Sequence, residues 1–267
     1  TALVGPNGSG KTTLMQILSG LLPSSAGNVS INGTKASSND LLGYSIMASS
    51  DRDFDNSSAA ALVAYASLRQ TWDQKLFDHY VHRFNFQLKG RKKLRKMSSG
   101  QAAILTATVA LASGAPITVL DEIQAPMDVP TRYAFYEELL SLAGDIMEGR
   151  RPWRMFLISS HMVSELENVA EDVVALKNGR LLAHEGVDEF TSRICAITGN
   201  AADVERFLAD HSDIAVITSR ALGSAREVIV DLRGRGVTDH EIASHSLTSS
   251  PCSFQDAFAY LIQENDQ

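Results

Sequence analysis

Gly5 to Thr12 reads G-P-N-G-S-G-K-T and fits the pattern G-x-x-x-x-G-K-[ST]. Each residue type has a physical task there. Gly8 and Gly10 let the chain turn tightly, so that backbone N–H groups converge on phosphate oxygens. Lys11 brings a mobile cation to the β- and γ-phosphates of a nucleotide, and the Thr12 hydroxyl is a hard oxygen ligand for Mg²⁺. Two acids end the apolar run Ile117 to Glu122, I-T-V-L-D-E. Asp121 is expected to hold the metal ion through water, and Glu122 to polarise an attacking water as general base. The run Phe156 to His161, F-L-I-S-S-H, ends in a histidine. A lone histidine after a strand is ordinarily structural or exposed, but one α/β unit beyond the acids it can also contact a γ-phosphate. Met97 to Gln101, M-S-S-G-Q, precedes A-A-I-L-T-A-T-V-A-L-A-S-G. Ser98 and Gly100 stand where an N-cap would be. Physics alone favours a simply capped helix there, with anion binding at the helix N-terminus as the functional alternative.

These residues need elements to position them. T-A-L-V before the glycine loop reads as the end of a buried strand. K-T-T-L-M-Q-I-L-S-G after it reads as a helix that stops at Gly20 and turns its positive end toward the phosphates. Residues 1–40 and 115–185 alternate strand and helix signals and are expected to form an α/β core. Residues 55–113 read as mostly helical, because S-S-A-A-A-L-V-A-Y-A-S-L-R-Q and D-Q-K-L-F-D-H-Y-V-H-R-F-N-F carry helical apolar spacing. Beyond residue 193, A-R-E-V-I-V-D-L reads as a strand. S-F-Q-D-A-F-A-Y-L-I-Q reads as a helix with Phe254, Phe258 and Leu261 on one face, packed as core.

The whole chain has 267 residues, 44% of them apolar and 21% charged, which allows one ample domain with a small appendage. The net charge of -7 argues against a nucleic-acid binder. Lys89 to Lys96, K-G-R-K-K-L-R-K, has six basic residues in eight and is best read as a solvated run, with nucleic-acid binding or proximity to anionic lipid as the other readings. The two cysteines, Cys195 and Cys252, have neither disulfide-framework nor zinc spacing, consistent with a reducing cytosol. No apolar run reaches the length of a membrane span.

The order of the motifs is more specific than any one of them. G-P-N-G-S-G-K-T-T, M-S-S-G-Q, I-T-V-L-D-E, A-P-M-D and I-S-S-H follow each other as do the Walker A loop, signature, Walker B strand, D-loop and switch histidine of ABC ATPases. Over residues 1–190 the chain resembles the ATP-binding subunit of ABC transporters. G-N-V-S-I-N-G and V-V-A-L-K-N-G-R-L-L-A-H-E-G are similar to that family's strand after the first helix and its late hairpin. The resemblance implies a P-loop α/β core with a helical signature subdomain at about 55–113, an ATPase domain over 1–193 and a small α/β appendage over 194–267.

It also implies Mg-ATP bound by Gly5, Pro6, Asn7, Gly8, Ser9, Gly10, Lys11, Thr12 and Thr13, with Thr12 and Asp121 at the metal. Glu122 would be the base and His161 the γ-phosphate contact. Ser98, Ser99, Gly100 and Gln101 would face the ATP of a second subunit, and Asp128 would bridge the two. The implied protein is an ATP hydrolase that sandwiches two ATP molecules as a homodimer. It would drive a separate membrane permease, as an exporter, from the cytoplasmic face of the membrane. The S-P-C-S-F-Q-D-A-F-A-Y-L-I tail resembles the end of exporter subunits.

Three departures stand out. The family's glutamine after its G-Y-x-P strand aligns with Met47, and no glutamine lies between Gln16 and Gln70. A serine or Asp51 is a substitute to consider. Met97 and Ser99 depart from L-S-G-G-Q, while Ser98 and Gly100 are kept. The strands and adenine-stacking aromatic that precede Walker A in the family do not precede it here, which makes the chain an N-terminally incomplete copy on this reading. The alternative function is a soluble ABC ATPase acting on the ribosome or nucleic acid. Against it, the segment before the signature has no heptads and no cysteines, and only one ATPase domain is present. A nucleotide-gated module without hydrolysis is a third reading, opposed by Glu122 and His161.

Overall fold

The computed structural model describes residues 1–50, 57–85, 93–232 and 237–264. They fall into two compact units, 1–161 and 162–267. Among the described residues no helix is long and apolar enough to cross a membrane.

The first unit begins with β1 (Ala2–Val4), whose three residues are all buried, and α1 (Lys11–Leu18). A hairpin of β2 (Val29–Ile31) and β3 (Thr34–Ala36) follows. Its turn, Asn32-Gly33, has positive φ at both residues, the geometry that matches the twist of paired strands. Next come α2 (Ser38–Tyr44), held by a capping box of Ser37 and Asp40, and β4 (Ser45–Ser49). The helical segment contains α3 (Ala59–Ala66), α4 (Gln74–Arg83) and α5 (Ser99–Ala112), capped by Ser58, Asp73 and Ser98 respectively. Each cap oxygen accepts a backbone N–H that has no partner within its own helix. Ala59, Ala66, Phe77, Leu94, Leu105, Val109 and Ala112 make the core of this segment, whose described residues are mostly helical. The unit closes with β5 (Ile117–Asp121), α6 (Val129–Met147) and β6 (Met155–Ser159).

Strands β4, β5, β6 and β1 lie side by side in that order, all parallel. Only the resemblance to a G-Y-x-P strand marks β4 in the sequence. Its residues, S-I-M-A-S, include two serines and no strong alternation, yet Ser45 and Ala48 are buried. The register is what matters for chemistry, because it sets Ser49, Asp121 and Ser159 in one row at the C-terminal edge of the sheet. That edge, with the loop after β1, is where open α/β sheets bind ligands.

Arg154 fixes the opposite end. Its buried guanidinium donates to the carbonyls of Leu111 and Ala115 and to the Thr118 hydroxyl. It thereby caps the end of α5 and ties it to the start of β5. Burial pulls its pKa down to about 10, which still leaves it charged at neutral pH.

The second unit contains α7 (Val163–Leu166) and a hairpin of β7 (Asp172–Lys177) and β8 (Arg180–Gly186), turned by Asn178-Gly179 as the sequence indicates. After α8 (Val187–Arg193) the order is β9 (Ile194–Asn200), α9 (Ala201–Asp210), β10 (Ala215–Leu222), β11 (Ala225–Asp231), α10 (Asp239–Ser244), β12 (Thr248–Pro251) and α11 (Phe254–Glu264). The sheet is antiparallel with order β10-β11-β9-β12, a split βαβ arrangement. Cys195, Ile197, Val204, Phe207, Val228, Val230 and Ile242 fill the layer under α9 and α10. The expected strand is β11 and the expected terminal helix is α11. Phe254 and Leu261 are buried on that helix, Phe258 is half-buried, and the Phe254 ring meets Phe190 edge-on.

His211 ties α9 to α10. Its two ring nitrogens lie 2.9 Å from the Phe207 carbonyl and 3.0 Å from Glu241 Oε1. The Phe207 carbonyl and then Glu241 raise its pKa above the ordinary 6.5. A raised histidine pKa stabilises the fold below pH 6.5, and that stability is lost as pH rises through the folded value. The difference in melting temperature between the wild type and His211→Asn is therefore largest near pH 6 and shrinks toward pH 8. A difference that is flat or grows with pH removes the pair from the stability of this unit.

Candidate functional site

The glycine loop spans the gap between β1 and α1. Gly8 (φ 77°) and Gly10 (φ 100°) both take left-handed conformations, which L side chains adopt only under strain. The Ser9 N–H donates to the Pro6 carbonyl and closes the turn. No side chain caps α1, so the N–H groups of Lys11, Thr12 and Thr13 have no acceptor within the helix. Lys11 folds back: its Nζ donates to the carbonyls of Gly5 (2.7 Å) and Pro6 (3.3 Å) and is almost fully buried. The loop thus concentrates backbone donors and one cation around a short turn, and the buried Ser9 hydroxyl has no partner there. Such a donor set fits a polyphosphate.

Asp121 sits at the end of β5, 4% exposed. Thr12 donates its hydroxyl to Asp121 Oδ2 at 2.8 Å, and Ser159 donates to Oδ1 at 2.5 Å. Two parts distant in sequence, α1 and β5, are joined by that first bond. A carboxylate and a hydroxyl in contact form a hard oxygen pair suited to Mg²⁺. Glu122 follows with φ 48°, a left-handed residue at the point where the strand breaks. Its N–H donates to Ser159 Oγ at 3.0 Å, and its carboxylate Oε2 lies 3.5 Å from His161 Nδ1. Glu122 and His161 are both partly open to solvent, where an incoming group can reach them. The structure therefore gathers Thr12, Asp121, Glu122 and His161 at one edge of the sheet.

Ser98 to Gln101 form the capped helix start that the residue types alone favour. Ser98 Oγ accepts from the Gln101 N–H, and Gln101 Oε1 accepts from the Ser98 N–H, a reciprocal capping box for α5. Both side chains are committed to the helix start while remaining exposed, with Ser99 exposed beside them. Gly100 has a packing reason to be glycine, since a Cβ there would stand 2.8 Å from the Pro126 carbonyl. The loop after Glu122 is thus pressed against the signature helix. Asp128 caps α6, accepting from the Thr131 N–H at 2.8 Å. Bonds from Thr131 hold its carboxyl below the usual range.

Met47 lies inside β4 opposite Val119, two residues short of the edge, whereas Ser49 stands opposite Asp121. The Ser50 N–H donates to the Asp121 carbonyl. Register therefore brings Ser49 and Ser50, not Met47, to the row of Asp121 and Ser159. Asp51 lies outside the described residues, as do residues 89–92 of the basic run. Sequence reasoning missed Ser159 and Gln124. Gln124 is fully buried and donates from Nε2 to the Ser159 carbonyl. Its only sequence signal is a polar residue in an otherwise apolar loop.

Residues 1–125 match the family described as ABC transporter. Among curated relatives, the rat (Rattus norvegicus) phospholipid-transporting ATPase ABCA3 is 28% identical over 188 residues, covering 68% of this chain and 11% of the relative. The Nod factor export ATP-binding protein I of Neorhizobium galegae is 26% identical over 189 residues, covering 68% of this chain and 52% of that protein. The chain thus spans about a tenth of the first and half of the second. Among solved structures, a dimeric ATP-binding cassette in a post-hydrolysis state with ADP and Pi aligns at TM-score 0.55 and 18% identity. The alignment covers 70% of this chain and 84% of that one, a likeness of fold.

Proposed function

We propose that this chain, whose residues 1–125 match the family described as ABC transporter, is an ATP-binding domain of that family that hydrolyses ATP and uses the cycle to drive a separate membrane permease. The observation that carries this reading is the continuous bonded path from Thr12 through Asp121 and Ser159 to Glu122, with His161 beside it. The backbone of Gly5 to Thr13, with Lys11, binds the phosphates. Thr12 and Asp121 would hold Mg²⁺, which when bound neutralises charge on the β- and γ-phosphate oxygens. Glu122 takes a proton from water as that water attacks the γ-phosphorus, the bond to the bridging oxygen breaks, and ADP leaves with the electron pair. His161 contacts the γ-phosphate and steadies Glu122. Export is the direction favoured by the printed role of the Neorhizobium galegae relative.

Two copies would close around two nucleotides, with Ser98, Ser99, Gly100 and Gln101 of each facing the ATP of the other, and Asp128 lying at the seam. The exposure of Ser98, Ser99 and Gln101 beyond their cap supports that placement. The ATPase domain is read as residues 1–193 and the appendage as 194–267. In support, β9 begins at Ile194 and joins only β10 to β12 in a sheet of its own. A location on the cytoplasmic face of the membrane follows from the permease partner.

Light scattering tests the assembly. With Mg²⁺ and a non-hydrolysable ATP analogue, the mass of the chain is expected to double, and to return to the monomer when nucleotide is removed. A monomer at saturating nucleotide would overturn the sandwich as drawn.

A further inference from the structure

We propose that Ser159 is a positioning residue for ATP hydrolysis, which sets both the Asp121 carboxylate and the turn of Glu122; this rests on the reading of Glu122 as general base. Ser159 ends β6 directly opposite Asp121 and is fully buried. Its hydroxyl has one proton. The Glu122 N–H can only donate, so Ser159 accepts from it and must spend its own proton on Asp121 Oδ1. With Thr12 on Oδ2, each carboxylate oxygen receives one hydroxyl, and the plane of Asp121 is fixed. The same oxygen that orients Asp121 anchors the backbone of the next residue.

That anchor has a conformational task. Glu122 is a non-glycine residue at φ 48°, a region disfavoured for L residues. Such strain persists where surroundings over-determine it. Three bonds do so here. Ser159 Oγ accepts the Glu122 N–H, the Ala125 N–H donates to the Glu122 carbonyl, and the Gln124 amide donates to the Ser159 carbonyl. Two of the three end on Ser159. The left-handed turn directs the Glu122 side chain to the open edge beside His161, where an extended residue would have continued the strand. None of these three bonds touches Lys11 or the backbone of Gly5 to Gly10, and the Thr12–Asp121 bond is the link by which the two halves of the site meet.

Ser159→Ala and Gln124→Met are compared with the wild-type chain in steady-state ATP hydrolysis, in ATP titration with and without Mg²⁺, and in thermal melts. Losing a charged-group hydrogen bond of this kind should lower kcat about tenfold or more. KM for Mg-ATP rises by no more than about threefold, because the grip of Lys11 and the glycine loop on the phosphates is kept. ATP affinity without Mg²⁺ is unchanged, while the gain in affinity that Mg²⁺ gives shrinks, because Asp121 is no longer aimed. Gln124→Met shows a smaller loss of the same kind, and Ser159→Thr, which keeps the hydroxyl, recovers part of the rate.

Wild-type kcat in both Ser159→Ala and Gln124→Met overturns the proposal. So does a parallel loss of metal-free ATP affinity and turnover, which would mark Ser159 as general scaffold. If Ser159→Ala does not fold, Gln124→Met and Ser159→Thr decide the matter by the same kcat-to-KM split. Glu122→Gln separates the two levels. Full activity in that variant removes the base reading itself, whereas an inactive Glu122→Gln beside a fully active Ser159→Ala removes only the role of Ser159.

Discussion

Glu122→Gln binds Mg-ATP as the wild type does, releases phosphate at least about a hundredfold more slowly, and accumulates as a nucleotide-bound dimer. The rate follows from the chemistry of the substituted atom. Glutamine keeps the size of glutamate and removes only the oxygen that can take a proton from water, and general-base catalysis is worth about 10² to 10⁴ in rate. Intact binding follows from the geometry. Lys11 and the turn of Gly5 to Gly10 have no bond to the Glu122 side chain among those described, and the Glu122 N–H keeps its bond to Ser159 in the variant. Accumulation of the dimer follows if closure needs the γ-phosphate and opening needs its loss. Phosphate release by a coupled assay and mass by light scattering check the two halves independently. Hydrolysis within about threefold of wild type would take Glu122 out of the mechanism and leave the acid as a partner of His161 only.

The parts of this site that could be read in one dimension were those whose geometry is local. The loop from Gly5 to Thr12 works through backbone turns within a few residues, so its spacing already specifies the positive φ at Gly8 and Gly10. The caps at Ser98 and at Asp128 are also local, and the reciprocal Ser98–Gln101 box is the ordinary capped helix that the residues alone favoured. The Asn178-Gly179 turn belongs to the same class.

What sequence could not supply was register. Ser159 sits 38 residues beyond Asp121, and nothing in F-L-I-S-S-H distinguishes it from its neighbour Ser160. Only the pairing of β5 with β6 puts Ser159 against the acid. Register also displaces Met47 from the edge in favour of Ser49, although alignment by pattern pointed to Met47. The residue pattern of β4 is a weak strand signal because two serines interrupt it, and pairing with β5 at the edge of the sheet overrides that weak propensity. In the second unit the long apolar run of β11 was legible and the terminal helix was legible. The order β10-β11-β9-β12 depends on long-range pairing, so no window of sequence contains it.

Lys11→Ala tests the other separable half of the site. The Lys11 ammonium rests on the carbonyls of Gly5 and Pro6, which stand at the mouth of the loop. A polyphosphate offers it far stronger, charge-assisted acceptors, so the cation is stored beside the place where it acts. Removing it deletes the one side-chain cation of the loop. Interactions with charged groups of this kind correspond to roughly tenfold to a hundredfold in affinity, and ATP binding in Lys11→Ala should fall by at least that much.

The loss should be greater for ATP than for ADP, because a single cation at the β- and γ-phosphates gains most from the nucleotide that carries both. Arginine is no substitute. Its planar fork is wider than an ammonium, and a side chain only 7% exposed leaves little room for it. Titration calorimetry with both nucleotides reads the effect directly, and a melt of the nucleotide-free variant measures what the two carbonyl bonds contribute to the fold. If ATP affinity is unchanged in a variant that melts normally, the loop does not hold the phosphates and the site must lie elsewhere. If affinity falls for ATP and less for ADP, while Glu122→Gln still binds both, then the glycine loop grips the nucleotide, and Asp121, Ser159 and Glu122, joined to it through Thr12, act on the γ-phosphate.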